Sequence, residues 1–102
     1  MLKLTLKNIW KIKLLPDEKQ GLLKLLEKVT EDGYELYLFG SRLNGWWVDI
    51  DLIIKPDPGF KKLLKYQTLF NLYSDTKLDL VAYNQQNLPF IKSLSSKIIQ
   101  WT

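Results

Sequence analysis

The sequence predicts a two-layer α/β (α+β) sandwich: one domain over residues 1–102, with helices packed on one face of a small mixed sheet of three to four strands. Three observations carry this. The segments follow the order helix, strand, strand, helix, strand, helix. Two apolar runs, 48–54 and 78–83, have acids interleaved at the two-residue period of a half-buried strand. The long segments before and between them space their apolar residues as amphipathic helices do, with enough length to cover one sheet face. A chain of 102 residues holds one small core and not two.

Leu2, Leu4 and Leu6 alternate with Lys3, Thr5 and Lys7, the pattern of a short edge strand; Asn8 to Leu15 reads equally well as helix. Pro16-Asp17-Glu18 is a helix start, with proline in the first turn and acids at the positive end of the dipole. Leu22, Leu25, Leu26 and Val29 continue at helical spacing, and Gly33 marks the stop. Tyr34 to Phe39 is a strand without breakers, and Val48 to Ile54 is the next, ended by Lys55-Pro56-Asp57-Pro58-Gly59. Phe60, Leu63, Tyr66, Phe70 and Tyr73 form the inward stripe of a second helix. Ser74-Asp75-Thr76 is a turn, Leu78 to Tyr83 a third strand, and Gln85 to Leu88 a polar connection. Pro89 to Ile99 is a last helix, with Ile91, Leu94 and Ile98 inward.

Composition narrows the chemistry. There is no cysteine and no histidine, which removes disulfides, thiolate and imidazole metal sites, and the usual acid/base of neutral pH. Any catalysis must rest on carboxylates and hard cations. The lack of cysteine fits a reducing compartment, so a cytoplasmic location is expected. Leu2 to Leu15 is broken by Lys3, Lys7, Lys11 and Lys13, so it matches neither a signal sequence nor a membrane span. The net charge of +4 comes from lysines, with Arg42 the sole arginine; without clustered arginine, direct nucleic-acid binding is not expected.

The stretch "FGSRLNGWWVDID", Phe39 to Asp51, concentrates the functional signal. Residues two apart on a strand share a face, so Asp49 and Asp51 point together while Val48, Ile50, Leu52 and Ile54 point toward the helices. On the third strand Asp79 lies between inward Leu78 and Leu80. If the two strands are neighbours, three carboxylates share one patch, and their repulsion is relieved by a divalent cation or by protons. An all-oxygen donor set favours Mg²⁺ or Mn²⁺. Gly40-Ser41 supplies the other half: glycine permits close backbone approach to a phosphate, and turn N–H groups with the Ser41 hydroxyl can hold its oxygens. Arg42 can add a charge-assisted phosphate contact, and a surface ion pair is an equal reading of it.

These positions, Phe39-Gly40-Ser41, Asp49-Ile50-Asp51 and the later Asp79 in "KLDLVAY", resemble the signature of the DNA polymerase beta-like nucleotidyltransferase superfamily. The chain looks most like the minimal nucleotidyltransferases. "GSRLNG" is similar to their Gly-Ser-Arg-x-x-Gly opening, and the likeness spans about Asp17 to Thr102, including the "PFIKSL" tail. One departure is a Ser41–Asp49 spacer shorter than is usual there, holding Trp46-Trp47 in place of polar residues. The resemblance implies the nucleotidyltransferase fold and transfer of a nucleoside monophosphate, AMP from ATP, to a hydroxyl with release of pyrophosphate. It implies that Asp49 and Asp51 bind the metals, and that Asp79 completes the second metal site and helps deprotonate the acceptor. Nucleotide phosphates fall to Gly40, Ser41 and Arg42. Family members of this size act as antitoxins that place AMP on a tyrosine of a HEPN-domain toxin, so such a partner is implied here, with a homo-oligomer left open.

A second reading is a module that neutralises its partner by contact alone, with a vestigial site. Trp46 and Trp47 bear on it, since they can pack the loop, dock a partner or stack a base. A small-molecule transferase fits less well, because such enzymes carry a second domain for the acceptor. Asp57, Asp75 and Asp17-Glu18 read as turn and cap residues, and Lys61, Lys62 and Lys65 as a solvated helix face.

Overall fold

Strand alternation sorts the chain into two faces. A computed structural model describes residues 2–40 and 49–97, with side chains as far as residue 92. Its elements run β1 (Leu2–Lys3), a 3-10 turn (Asn8–Lys11), α1 (Pro16–Glu31), β2 (Glu35–Phe39), β3 (Ile50–Lys55), α2 (Phe60–Asn71), β4 (Leu78–Ala82) and α3 (Leu88–Lys97). The strands form one mixed sheet in the order β1-β2-β3-β4. β1 with β2 and β2 with β3 are antiparallel, and β3 with β4 is parallel. The parallel step requires a crossover, and α2 provides it.

One face is the core. Leu36 and Leu38 of β2, Ile50, Leu52 and Ile54 of β3, and Leu78 and Ala82 of β4 pack with Leu22, Leu25, Leu26 and Val29 of α1 and with Tyr66 and Phe70 of α2. α1 and α2 meet at Gly21, where an added Cβ would stand 3.0 Å from Phe70 Cδ1 and 3.1 Å from the Phe70 carbonyl oxygen. Tyr66 also donates its hydroxyl hydrogen bond to Asp32 Oδ2 at 2.6 Å, which fixes α2 to the end of α1. Burial and this bond raise the Tyr66 phenol, and the same bond lowers the Asp32 carboxyl.

The expected helix stop at Gly33 is a Schellman motif. Gly33 has φ +89°, its N–H reaches Thr30 O at 3.0 Å, and the Tyr34 N–H reaches Val29 O at 2.9 Å. At the other end of α1, the Leu15 N–H donates to Glu18 Oε1 at 2.9 Å, the N3 half of a capping box. Glu18 does more than cap: it is only 1% exposed and also accepts from the Thr76 hydroxyl. The ambiguous segment after β1 is the 3-10 turn, with Ile9 buried.

Two expectations change. Phe60 does not join the inward stripe; it is 74% exposed. At about 100° per residue it stands roughly 80° around the axis from Phe70, so the stripe has turned away from it. In α3, Ile91 is inward as expected, but toward the opposite sheet face, where it packs with Phe39 and Ile53. Phe90 meets Phe39 edge-on, with ring centroids 6.0 Å apart. Leu94 and Ile98 lie outside the described side chains, and Val48 precedes the described start of β3 at Ile50. No helix among the described residues is long and apolar enough to cross a membrane.

Candidate active site

The face turned away from the main core carries the acids. β3 and β4 run parallel with Asp51 directly beside Asp79 in the register. Both strands alternate, so Ile50, Leu52, Leu78 and Leu80 lie on the core side while the two aspartates share the other. Asp49 stands just ahead of β3. On the β2 side, the register partner of Asp51 is Phe39, which is buried. Asp51 thus has an aromatic neighbour on one flank and a second carboxylate on the other.

Electrostatics follow from that placement. The Asp51 carboxyl is pushed up to about 6, first by burial, then by the hydrogen bond and charge of Asp79 and by the charge of Asp49. Lys77 works against this shift. Its ammonium lies 3.9 Å from Asp49 Oδ2 and 4.0 Å from Asp79 Oδ1, bridging the two more exposed acids. The Lys77 backbone is fixed as well, its carbonyl accepting the Ile50 N–H at 3.1 Å where β3 begins.

Gly40 closes the site from the β2 end. Its φ is +80°, and a Cβ there would lie 2.5 Å from Asp51 Oδ2. Glycine is required twice at this position, for the backbone conformation and for the space that the carboxylate occupies. Gly40 is expected from the sequence to admit a phosphate close to the backbone; the contact with Asp51 is an additional role. Ser41, Arg42, Trp46 and Trp47 lie outside the described residues.

Of the expected site, Gly40, Asp51 and Asp79 therefore come together, with Asp49 alongside through Lys77. Lys77 escaped the sequence reading although the signal was present: the strand opens at Leu78, and the residue just ahead of it, two before Asp79, shares the face of Asp79. The donor set, carboxylate oxygens with a mutually repelling pair, has the chemistry of a hard-cation site. Among the described residues, no three acidic side chains are drawn together closely enough to form a metal cage. Asp51 and Asp79 are the pair that would hold an ion, with Asp49 the third donor if it leaves Lys77.

No family model, curated protein or solved structure matches the chain.

Proposed function

We propose that the chain is a divalent-cation-dependent nucleotidyltransferase of the polymerase beta-like kind. It moves a nucleoside monophosphate, AMP from ATP, onto a hydroxyl of a partner protein, and the partner is a HEPN-domain toxin that the chain restrains as antitoxin. The observation that carries the reading is the in-register pair Asp51–Asp79 on parallel strands, on the face away from the core, with Gly40 against Asp51. That arrangement supports the likeness of the Gly-Ser and Asp-x-Asp signature, which is where the substrate and partner come from.

In this reading Asp51 and Asp79, with Asp49, would hold Mg²⁺ or Mn²⁺. The cation, when bound, neutralises charge on the phosphates and on the leaving pyrophosphate. The acceptor oxygen forms a bond to the α-phosphorus, the bond from that phosphorus to the bridging oxygen breaks, and pyrophosphate leaves. Asp79, half exposed on the edge strand, takes the acceptor's proton. Gly40, Ser41 and Arg42 would hold the phosphates.

The test is transfer of label from α-labelled ATP with Mg²⁺ or Mn²⁺ to the HEPN partner. Labelling that disappears in Asp49→Asn/Asp51→Asn supports the reading, and no labelling of a cognate partner with either metal overturns it. A second reading, neutralisation by contact alone, is favoured by Lys77, which supplies a cation from the chain itself between Asp49 and Asp79. Under that reading the double Asn variant still neutralises its partner.

A further inference from the structure

A cavity lies on the same sheet face as the acids, running from Ile53 in the middle of β3 toward Lys55 at its end. It measures about 260 Å³ and sits between the sheet and α3. Ile53 and Ile91 form its floor, and both are almost wholly buried. Tyr37 and Tyr83 line it as well, and Lys55 and Lys92 add two cations. The Lys55 ammonium is held 4.8 Å from the centroid of the Tyr83 ring, a geometry that positions the charge while leaving it able to accept an anion.

The charge balance there is uneven. Glu35 is the carboxylate opposite Lys55 in the β2–β3 register. It is engaged by Lys3 at 2.5 Å and by the Tyr37 hydroxyl at 3.2 Å. Lys55 acts on Glu35 through its charge alone, the weakest of the causes that lower that carboxyl, while the ion pair of Glu35 is made with Lys3. Two cations, aromatic walls and a dry aliphatic floor make a specific combination. Apolar cavities of about 150 Å³ are enough for a benzene ring, and this one is larger but too small for a folded segment.

We propose that this cavity binds a small planar ring bearing an anionic group, with the ring between Tyr37 and Tyr83 over Ile53 and the anion at Lys55 and Lys92. The ligand's chemistry is shared by nucleotides and by aromatic phosphates or carboxylates. The proposal concerns binding alone and does not depend on the transferase reading, since none of the acids lines the cavity.

The experiment is a titration of the full chain, isotope-labelled for NMR, in EDTA so that no cation bridges a phosphate to the aspartates. The probes are phenyl phosphate, AMP, inorganic phosphate and phenol. Saturable shifts centred on Ile53, Lys55, Tyr83 and Ile91 are expected for the first two, with the last two clearly weaker. If AMP binds more tightly the ligand is a nucleotide; if phenyl phosphate does, it is another aromatic anion. Lys55→Met and Lys92→Met keep the aliphatic stems, and each should weaken binding about threefold and together about tenfold, the scale of partly exposed charge pairs. The same spectra report that both variants fold. Phenol binding as well as phenyl phosphate, shifts spread equally over Lys61 and Lys65, no saturation, or indifference to the double variant would each overturn the proposal.

Discussion

At Asp51, burial beside Phe39 and the nearness of Asp79 keep a proton on the carboxyl up to about 6, where an ordinary aspartate loses it near 3.8. Between those two values the folded chain binds more protons than the unfolded one, so stability falls as pH rises through the window and levels off above it. Urea denaturation in EDTA should show this decline between about pH 4 and 6, and Asp51→Asn should flatten it. Added Mg²⁺ should raise the midpoint at pH 7.5 and not at pH 4.5, because binding needs the carboxylates ionised. An equal Mg²⁺ response in Asp51→Asn would contradict a site at these acids. Gly40 and Gly33 make a paired test. Both have positive φ, but an added Cβ at Gly33 meets nothing within 4 Å whereas at Gly40 it meets Asp51. Gly33→Ala should cost about 1 kcal/mol from backbone strain alone. Gly40→Ala should cost more, about 2–3 kcal/mol, and should also displace Asp51 and weaken Mg²⁺ binding.

The elements are held in place by a few polar ties whose reach the sequence only partly discloses. Glu18 links the start of α1 to Thr76, the residue before Lys77 and two residues from β4. Glu18→Ala leaves the Leu15 N–H and the Thr76 hydroxyl without their acceptor and should destabilise the fold by about 2–3 kcal/mol in thermal or urea unfolding. Glu18→Gln keeps an acceptor at the cap and should cost less than half of that. The cap was readable from Pro16-Asp17-Glu18, because capping is a local rule; the bond to Thr76 was not, because 58 residues separate the partners. The same division holds elsewhere. Alternation in β3 and β4 placed Asp51 and Asp79 on one face, since a period of two is local, and their adjacency followed once those strands paired. The side of the sheet taken by Ile91 was not readable, because an amphipathic helix does not state which apolar face it will meet. Phe60 falls outside the stripe because three residues turn about 60° less than one full turn and seven turn about 20° less than two, so the two shortfalls add between Phe60 and Phe70. The cluster of Tyr37, Tyr83, Lys55 and Lys92 left no local trace, since its members come from β2, β3, α3 and the residue after β4.

Across the whole molecule, β3 is flanked by strands on both sides and packed against the helices on its core face, with Leu52, Ile53 and Ile54 buried. Its amides should exchange most slowly with solvent, and those of the two-residue β1 among the fastest of the sheet, a ranking that hydrogen-exchange mass spectrometry can check. The pairing of β3 with β4 has one more consequence. Moving β4 by a single residue would turn Asp79 toward the helices and Leu78 and Leu80 toward water, so the error that dismantles the acid pair also dismantles the hydrophobic layer. A preparation that unfolds in one sharp step has thereby been screened for mis-threaded molecules. Silence from such a preparation toward a cognate acceptor, with either metal supplied, would therefore count against the transferase chemistry itself and not against the quality of the sample.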